Sequence, residues 1–451
     1  MPEGPASGLG PEASVPVAGG AAEPPRRPGL REAVAALRYR NFALFWTGAL
    51  LSNSGTWIQT VAVAYVVYQI TGSATLVSIS SFLQFLPLMV MGPWGGSLAD
   101  RYDRRTILLA GQSGLAVLAT VLWLAWVAGF DSIWVIMGLI LISGFVNGVT
   151  IPAWQAFVSE LVPREALLNA VTLNSTQFNG ARAFGPALGG LVLATLGAGA
   201  AFLFNALSFI AVLVALLLIR TAPREMAVKV EGESVWDTFR LAIRYSRQRP
   251  GILTTFIVVA ALGGLGSPFL QLLPVFAAEV FVVGAVAYGF LQAGLGIGSL
   301  VAAPLIAGPG TAMRRSWLAT VGMVSYGVSM LAFVATSNYV VGMAALLVAG
   351  GGYLCLASTL NTTIQLQVDE VMRGKVLAFY VILLTASLPL GLAVQAALVG
   401  VIGVRWTTVV FGVAFLAVFG WAGVGRSHLA HLDDDRAAPA TVERTDADQG
   451  P

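Results

Sequence analysis

Charge is scarce in this 451-residue chain: Asp, Glu, Lys and Arg make up 10% of it, against about 25% in a soluble domain, while 57% is hydrophobic. That balance excludes an ordinary soluble fold. Cysteine is rarer still, since Cys355 stands alone in an apolar stretch and leaves no internal disulfide and no thiolate metal cluster. The two histidines, His428 and His431, sit beside Asp433, Asp434 and Asp435 in a polar tail that reads as solvated, so no metal site is expected there. The only Gly-Lys pair, Gly374-Lys375, is followed by Val376 and lacks the upstream glycine of a phosphate loop, which argues against direct use of ATP and against a bound cofactor. A net charge of +3, scattered along the chain, gives no nucleic-acid footprint. No cluster of His, Asp and Glu marks a membrane edge as catalytic, so the chain is not expected to be an enzyme.

Long apolar runs are abundant instead. Twelve helix-length segments follow one another at about 42-69, 75-99, 105-128, 132-158, 167-196, 199-220, 251-278, 284-307, 316-336, 339-366, 375-402 and 406-425. At about 1.5 Å per residue, twenty residues cross about 30 Å of hydrocarbon. The expected class is therefore all-α and integral to a membrane. Residues 1-35, with seven of the 21 prolines, and 427-451 read as disordered arms around two bundles, 36-220 and 251-426. Between the bundles, 221-250 is polar; Ser234 and Asp237 form a capping box, and Trp236, Phe239 and Ile243 stripe an amphipathic helix opposite Arg240, Arg244 and Arg247. That helix is expected to lie on the inner membrane surface.

Basic residues orient the chain. With both termini inside, 23 of the 25 Lys and Arg fall on the cytosolic side, leaving Arg405 in the last outer loop and Arg182 within a segment. A multi-pass protein of the cell's inner membrane with both ends in the cytoplasm is expected. A weak repeat at an offset of about 210 supports two parallel six-helix units: Glu160 and Arg164 recur as Asp369 and Arg373, Pro93 as Pro304, and Arg104-Arg105 as Arg314-Arg315.

Between segments 2 and 3 the sequence reads GGSLADRYDRRTIL, from Gly95 to Leu108. A glycine here allows close helix packing, and an aspartate at the membrane edge can accept hydrogen bonds from the start of another helix, the one near Gly374 being the expected partner. The arginines beside it can pair with Glu160 at the end of segment 4. The stretch resembles the loop signature of the major facilitator superfamily through Gly96, Leu98, Asp100, Arg101, Arg104 and Arg105, with Asp103 in place of the usual second glycine. In segment 5, ARAFGPALGG resembles the glycine-proline motif of the superfamily's exporting branch, with Gly185, Pro186, Gly189 and Gly190 in register and Ala181 in place of its first glycine. Together with LVPREALLNAVTLNS from Leu161 and FLFNALSF from Phe202, the pattern is most similar to the enterobactin-exporter and secretion-effector subfamily over residues 35-425.

The resemblance implies twelve transmembrane helices in two six-helix repeats, a cytosolic gate latch built from Gly96, Asp100, Arg101, Arg104, Arg105 and Glu160, and export of an amphiphilic small molecule, a siderophore or drug, by alternating access. Partners would be that substrate, the lipid bilayer and protons as coupling ion, with the chain working as a monomer. Arg182 is singled out by the residues themselves, because a charge at the bilayer centre costs about 2.5-3.5 kcal/mol on insertion scales. In the fold implied, segments 1, 4, 7 and 10 line the central cavity, which adds Asn53, Trp57, Asn147, Gln271, Tyr353 and Asn361 as candidate substrate contacts. No acid lies at mid-membrane depth, and Gly144 occupies the place where many proton-coupled relatives carry a basic residue, so proton coupling is implied by kinship alone. Uptake or lipid flipping on the same fold, or a non-transporting receptor or scaffold, are the rival readings.

Overall fold

The computed structural model describes residues 34-220, 235-423 and 428-434, and among them every regular element is helical. The elements are α1 (Arg40–Thr71), α2 (Ala74–Arg101), α3 (Arg104–Val127), α4 (Ile133–Phe157), α5 (Leu167–Leu218), α6 (Val235–Arg247), α7 (Pro250–Ala261), α8 (Ala285–Ala307), α9 (Arg315–Ala335), α10 (Tyr339–Gln367) and α11 (Glu370–Gly423). Nine helices among the described residues are long and apolar enough to cross a membrane. α1, 32 residues long, is not among them; Asn53, Gln59 and several hydroxyls dilute its apolar content.

Two helices are too long for a single crossing. α5 runs for 52 residues and α11 for 54, which would be about 80 Å of straight helix against a hydrocarbon core of about 30 Å. Each is broken at one glycine: Gly197 has φ 80° and ψ 176°, and Gly403 has φ 77° and ψ 170°. Those backbone angles are open essentially to glycine alone, so each break is written into the residue type.

Residues 250-280, which read as one segment, are less regular than the pattern suggests. α7 passes into π-type turns at 262-266 and again at 276-280, with a 3-10 turn at 268-272 between them. Gly263, Gly264, Gly266, Pro268 and Pro274 explain the loss of regular hydrogen bonding.

Burial follows the solvent. Large apolar side chains such as Leu168, Val401 and Trp134 are more than 70% exposed, while Phe42, Phe45, Phe202, Tyr288, Tyr326 and Phe415 are fully covered. An outward apolar surface of this extent is stable against lipid rather than water.

Two peripheral segments dock on the bundles. α6 packs Phe239 against Phe379 at 5.6 Å between ring centroids and buries Ala242, while Ile243 of the same stripe stays exposed; the Ser234 cap lies outside the described residues. Residues 428-434, expected to be unstructured, make a short 3-10 turn with Leu429 and Leu432 buried. Two leucines in an otherwise polar stretch supply the apolar area that docks it. Gln367 Nε2 then donates to the carbonyls of His431 at 2.7 Å, Asp434 at 3.0 Å and Leu432 at 3.3 Å. Asp433 accepts from the Ser316 amide at 3.0 Å and from its hydroxyl, closing the first turn of α9.

Candidate functional site

The α2–α3 turn shows how its residues work locally. Asp103 has φ −59°, a conformation any residue adopts, and its carboxylate accepts from the Thr106 amide at 2.8 Å and hydroxyl at 2.7 Å. It caps α3, so a glycine is not needed there. Arg104 donates to Glu160 Oε1 at 2.9 Å, to the Ala156 carbonyl at 3.0 Å and to the Ala99 carbonyl at 3.3 Å, tying α2, α3 and the end of α4 together. Arg105 donates to the carbonyls of Leu216 at 2.7 Å and Leu217 at 3.1 Å, where a cation meets the negative end of α5. Asp100 and Arg101 point elsewhere. Both are exposed and make no hydrogen bond or ion pair among the described residues, and a Cβ at Gly96 or Gly374 would meet no atom within 4 Å. The expected contact between Asp100 and the start of α11 is therefore open here.

At the opposite end of the same helices the two groups of helices meet. There α1, α2 and α5 press against 268-289, α8 and α11. Tyr68 donates to Glu279 at 2.8 Å, Gln395 to Ser78 at 3.1 Å, Ser81 to Gln271 at 3.4 Å, and Tyr65 stacks on Tyr288 at 5.9 Å. α5 and α8 touch backbone to backbone: a Cβ on Gly190 would lie 2.5 Å from the Gly289 Cα, and one on Gly296 2.5 Å from the Ala183 Cα. Gly185 faces Trp57 and Gly189 faces Ile58 and Val61 within the first group of helices, so the four motif residues Gly185, Pro186, Gly189 and Gly190 serve two interfaces, with the Pro186 carbonyl against Gly289.

Two turns before Gly190 on α5 lies Arg182. Its guanidinium carbon sits 5.9 Å from the Trp57 ring and 5.6 Å from the Tyr353 ring, one from each group of helices. Among the described residues it makes no hydrogen bond and no ion pair. Gln177, one turn away, does not reach it, being buried with both polar atoms unpartnered.

The other candidates have their own local partners or surroundings. Gln271 accepts from Ser81 in the seal, Asn361 accepts from Gln365 one turn on along its own helix, and Asn53 is half-buried with no hydrogen bond. Asn147 belongs to a separate cavity of about 70 Å³ inside the first group of helices, lined also by Thr56, Gln59, Thr60, Gln84, Ser143 and Asn205. Gly144 is there because it must be: a Cβ would lie 2.8 Å from the Gln84 carbonyl and 3.0 Å from Pro87, which leaves no room for a basic side chain.

A carboxylate anchor recurs beyond residue 235, differently made. Asp369 accepts from Arg249 at 2.8 Å and from the Tyr245 hydroxyl at 2.8 Å, both from the α6–α7 stretch. Burial raises the Tyr245 phenol above its ordinary pKa, so it holds its proton and donates.

A family profile for transmembrane secretion effectors matches residues 31-445. The chain belongs to that family of the major facilitator superfamily. It is a multi-pass membrane transporter, and its relatives are transporters rather than enzymes. It is 25% identical over 387 residues to the staphyloferrin A transporter of Staphylococcus aureus (strain NCTC 8325 / PS 47), covering 83% of this chain and 93% of that one. It is 28% identical to the enterobactin exporter EntS of Shigella flexneri, covering 77% and 82%, and 21% identical to macrolide efflux protein A of Streptococcus pyogenes, covering 84% and 96%. Among solved structures, a bacterial homologue of the human lysosomal transporter Spinster, inward-facing and unoccupied, superposes with TM-score 0.68 at 15% identity, covering 89% of this chain and 99% of that one. A D-xylose-proton symporter superposes with TM-score 0.64 at 15% identity, covering 87% and 98%.

Proposed function

We propose that this transporter exports an amphiphilic small molecule bearing an anionic or catechol-like group, by alternating access between two six-helix units. Counting α5 and α11 as two rods each, and adding α1 and residues 250-280, gives twelve crossings split six and six around the 221-250 linker. The positive-inside bias puts both termini in the cytoplasm, so the sealed end is the outer one and this is the inward-open state. In that state the latch of Gly96, Asp100, Arg101, Arg104, Arg105 and Glu160 is half-made. Arg104 and Glu160 hold the scaffold, and Asp100 is free to engage α11 when the cytosolic side closes. Of the exporter motif, Pro186 and Gly190 contribute to the outer seal, which must part for release, while Gly185 and Gly189 hold α5 to α1 within the first unit.

One observation carries the cargo class: a guanidinium without a counter-charge, held between Trp57 and Tyr353 from opposite units. Aromatic faces attract a cation without occupying its N–H donors, so all five remain for a ligand. A planar carboxylate or catecholate can take two of them at once. Asn53, one turn before Trp57 on α1, and Gln271 and Asn361 remain candidate contacts beside this centre, while Asn147 lines the cavity within the first unit. The chain functions as a monomer, its single path running between its own units. The resemblance implies protons as coupling ion, yet no described acid lies at mid-span, so the seat of the driving cation falls among neutral groups.

The test is transport by inverted vesicles containing Arg182→Lys and Arg182→Gln at matched abundance, with anionic and cationic candidate substrates. Both variants should lose anionic transport, Lys included because it lacks the planar fork. Equal losses for both substrate signs would refute recognition by charge.

A further inference from the structure

Arg314, Trp317, Val321, Val324 and Val328 follow one another at spacings of three and four, which places them in a single line along α9 and its cap residue. Packing turns that line into one wall of a groove. α9 and α10 touch through backbone: a Cβ on Gly322 would lie 2.8 Å from the Leu356 nitrogen and 3.0 Å from the Gly352 carbonyl, and one on Gly352 2.9 Å from the Tyr326 nitrogen. Beside this crossing Trp317, Val321, Val324 and Val328, with Val348 of α10, border an open space of about 370 Å³. Trp317, Val321, Val328 and Val348 are exposed, and in a membrane the solvent that meets them is lipid.

The groove has the length and polarity of one leaflet. Val328 lies 11 residues after Trp317. That is about 16 Å of helix, against about 15 Å for half of a hydrocarbon core of about 30 Å. Its hydroxyls are satisfied or covered: Thr320 donates to the Ser316 carbonyl at 2.8 Å, Ser325 donates to the Gly322 carbonyl at 3.3 Å, and Ser329 is 6% exposed. At one end the character changes. Trp317 stands in the first turn of α9, where an amphipathic ring suits the headgroup boundary, and Arg314 precedes it, exposed and with no hydrogen bond or ion pair among the described residues. Asp433, which the docked tail brings to this helix end, already accepts from the Ser316 amide at 3.0 Å and from its hydroxyl, and the chain has no acid from residue 280 to 368.

An apolar trough one leaflet long, with an unpaired cation at its polar end, complements an amphiphile that has a long chain and a negative head. We propose that this groove binds a phospholipid with an anionic headgroup, one acyl chain lying along Val321, Val324, Val328 and Val348 and the phosphate on Arg314. A guanidinium can hold two phosphate oxygens at once, which gives the head a fixed place. The positive-inside bias puts the Arg314 end at the cytosolic face, so the lipid belongs to the inner leaflet. Once bound, it splints α9 to α10, the helix that carries Tyr353. The site is separate from the cargo centre and rests on membrane residence, not on the export reading.

The experiment is native mass spectrometry of the purified full chain released from detergent micelles, titrated with dipalmitoyl phosphatidylglycerol or with dipalmitoyl phosphatidylcholine. Wild-type protein should retain one phosphatidylglycerol at about tenfold lower concentration than phosphatidylcholine, the worth of one charge-assisted contact. Arg314→Gln should bring the two lipids level, whereas Arg244→Gln, an exposed cation on α6, should leave the preference as it is. Val321→Trp fills the groove from an exposed position, so folding is retained, and should lower retention of both lipids. Equal retention by the wild type, or a preference that survives Arg314→Gln or falls as far with Arg244→Gln, would overturn the proposal, as would retention unchanged by Val321→Trp. Displacement of the lipid by palmitate at equal concentration would make the occupant a free fatty acid, and a lipid-free species of twice the mass would make the groove an interface between two copies. Either result would overturn it too. No cargo is present, so failure here leaves the export reading standing, and failure of the Arg182 transport test leaves the lipid site standing.

Discussion

Placing one methyl group at Gly190 tests whether the seam between α5 and α8 is the outer gate. An alanine Cβ there would sit 2.5 Å from the Gly289 Cα, 2.8 Å from the Ala285 carbonyl and 2.9 Å from the Gly289 nitrogen, where ordinary contact begins at 3.4 Å. All three atoms are backbone, so no side chain can swing aside and the helices must separate by about 1 Å. Overpacking of this kind costs roughly 1-3 kcal/mol, which is a factor of about 5-150 in an equilibrium. The strain exists only while the two helices touch. Gly190→Ala should therefore shift the protein toward the outward-open state rather than unfold it. The readout is a buried position in the seal, Ser81→Cys in a Cys355→Ser background, labelled in intact cells by an impermeant thiol reagent. Labelling should accelerate at least fivefold with Gly190→Ala. Gly138→Ala in α4 is the control, since its Cβ meets nothing within 4 Å and it belongs to neither gate, and it should leave the rate unchanged. If Ser81→Cys reacts at the same rate with and without Gly190→Ala, while the protein accumulates normally, the seam is static packing and the gate assignment fails.

Topology has a direct check: in the same Cys355→Ser background, Arg405→Cys should label from outside while Arg104→Cys and Arg315→Cys should not, and the reverse pattern would invert the orientation. Glu160→Gln should lower stability by roughly 1.5-3 kcal/mol, because Arg104 loses the charged partner at 2.9 Å, whereas Asp100→Asn should leave the thermal midpoint of the inward-open protein unchanged yet slow export; a stability loss for Asp100→Asn would contradict its free position. Gln367→Ala removes three hydrogen bonds to residues 431, 432 and 434 and should release that segment, seen as faster amide hydrogen exchange at 429-434; unchanged exchange would show that Leu429 and Leu432 suffice to hold it.

Those contrasts follow the line between what the sequence by itself determined and what only the tertiary structure decided. Membrane residence, helix-length segments and the breaks at Gly197 and Gly403 are local facts: lipid forbids unpaired backbone, and positive φ selects glycine wherever the chain must turn. The Arg104–Glu160 pair was legible as well, because few charges are available at segment ends and opposite signs there have little choice of partner. Asp103 was legible as a departure from a pattern but not as a cap, since its role depends on the φ angle that the turn adopts. Arg182 stood out by its expense in lipid, and Trp57 and Tyr353 were candidates through the fold implied, but their meeting was not legible: they lie 125 and 171 positions away in the chain and reach it only through the packing of α1, α5 and α10. Asn205 and Gln59, 146 residues apart, read separately as ordinary polar residues in apolar helices. Only close packing of the helices brought them together at one polar cavity, because a hydrogen bond at 2.7 Å is specified by the relative placement of two backbones and not by either residue's own neighbours.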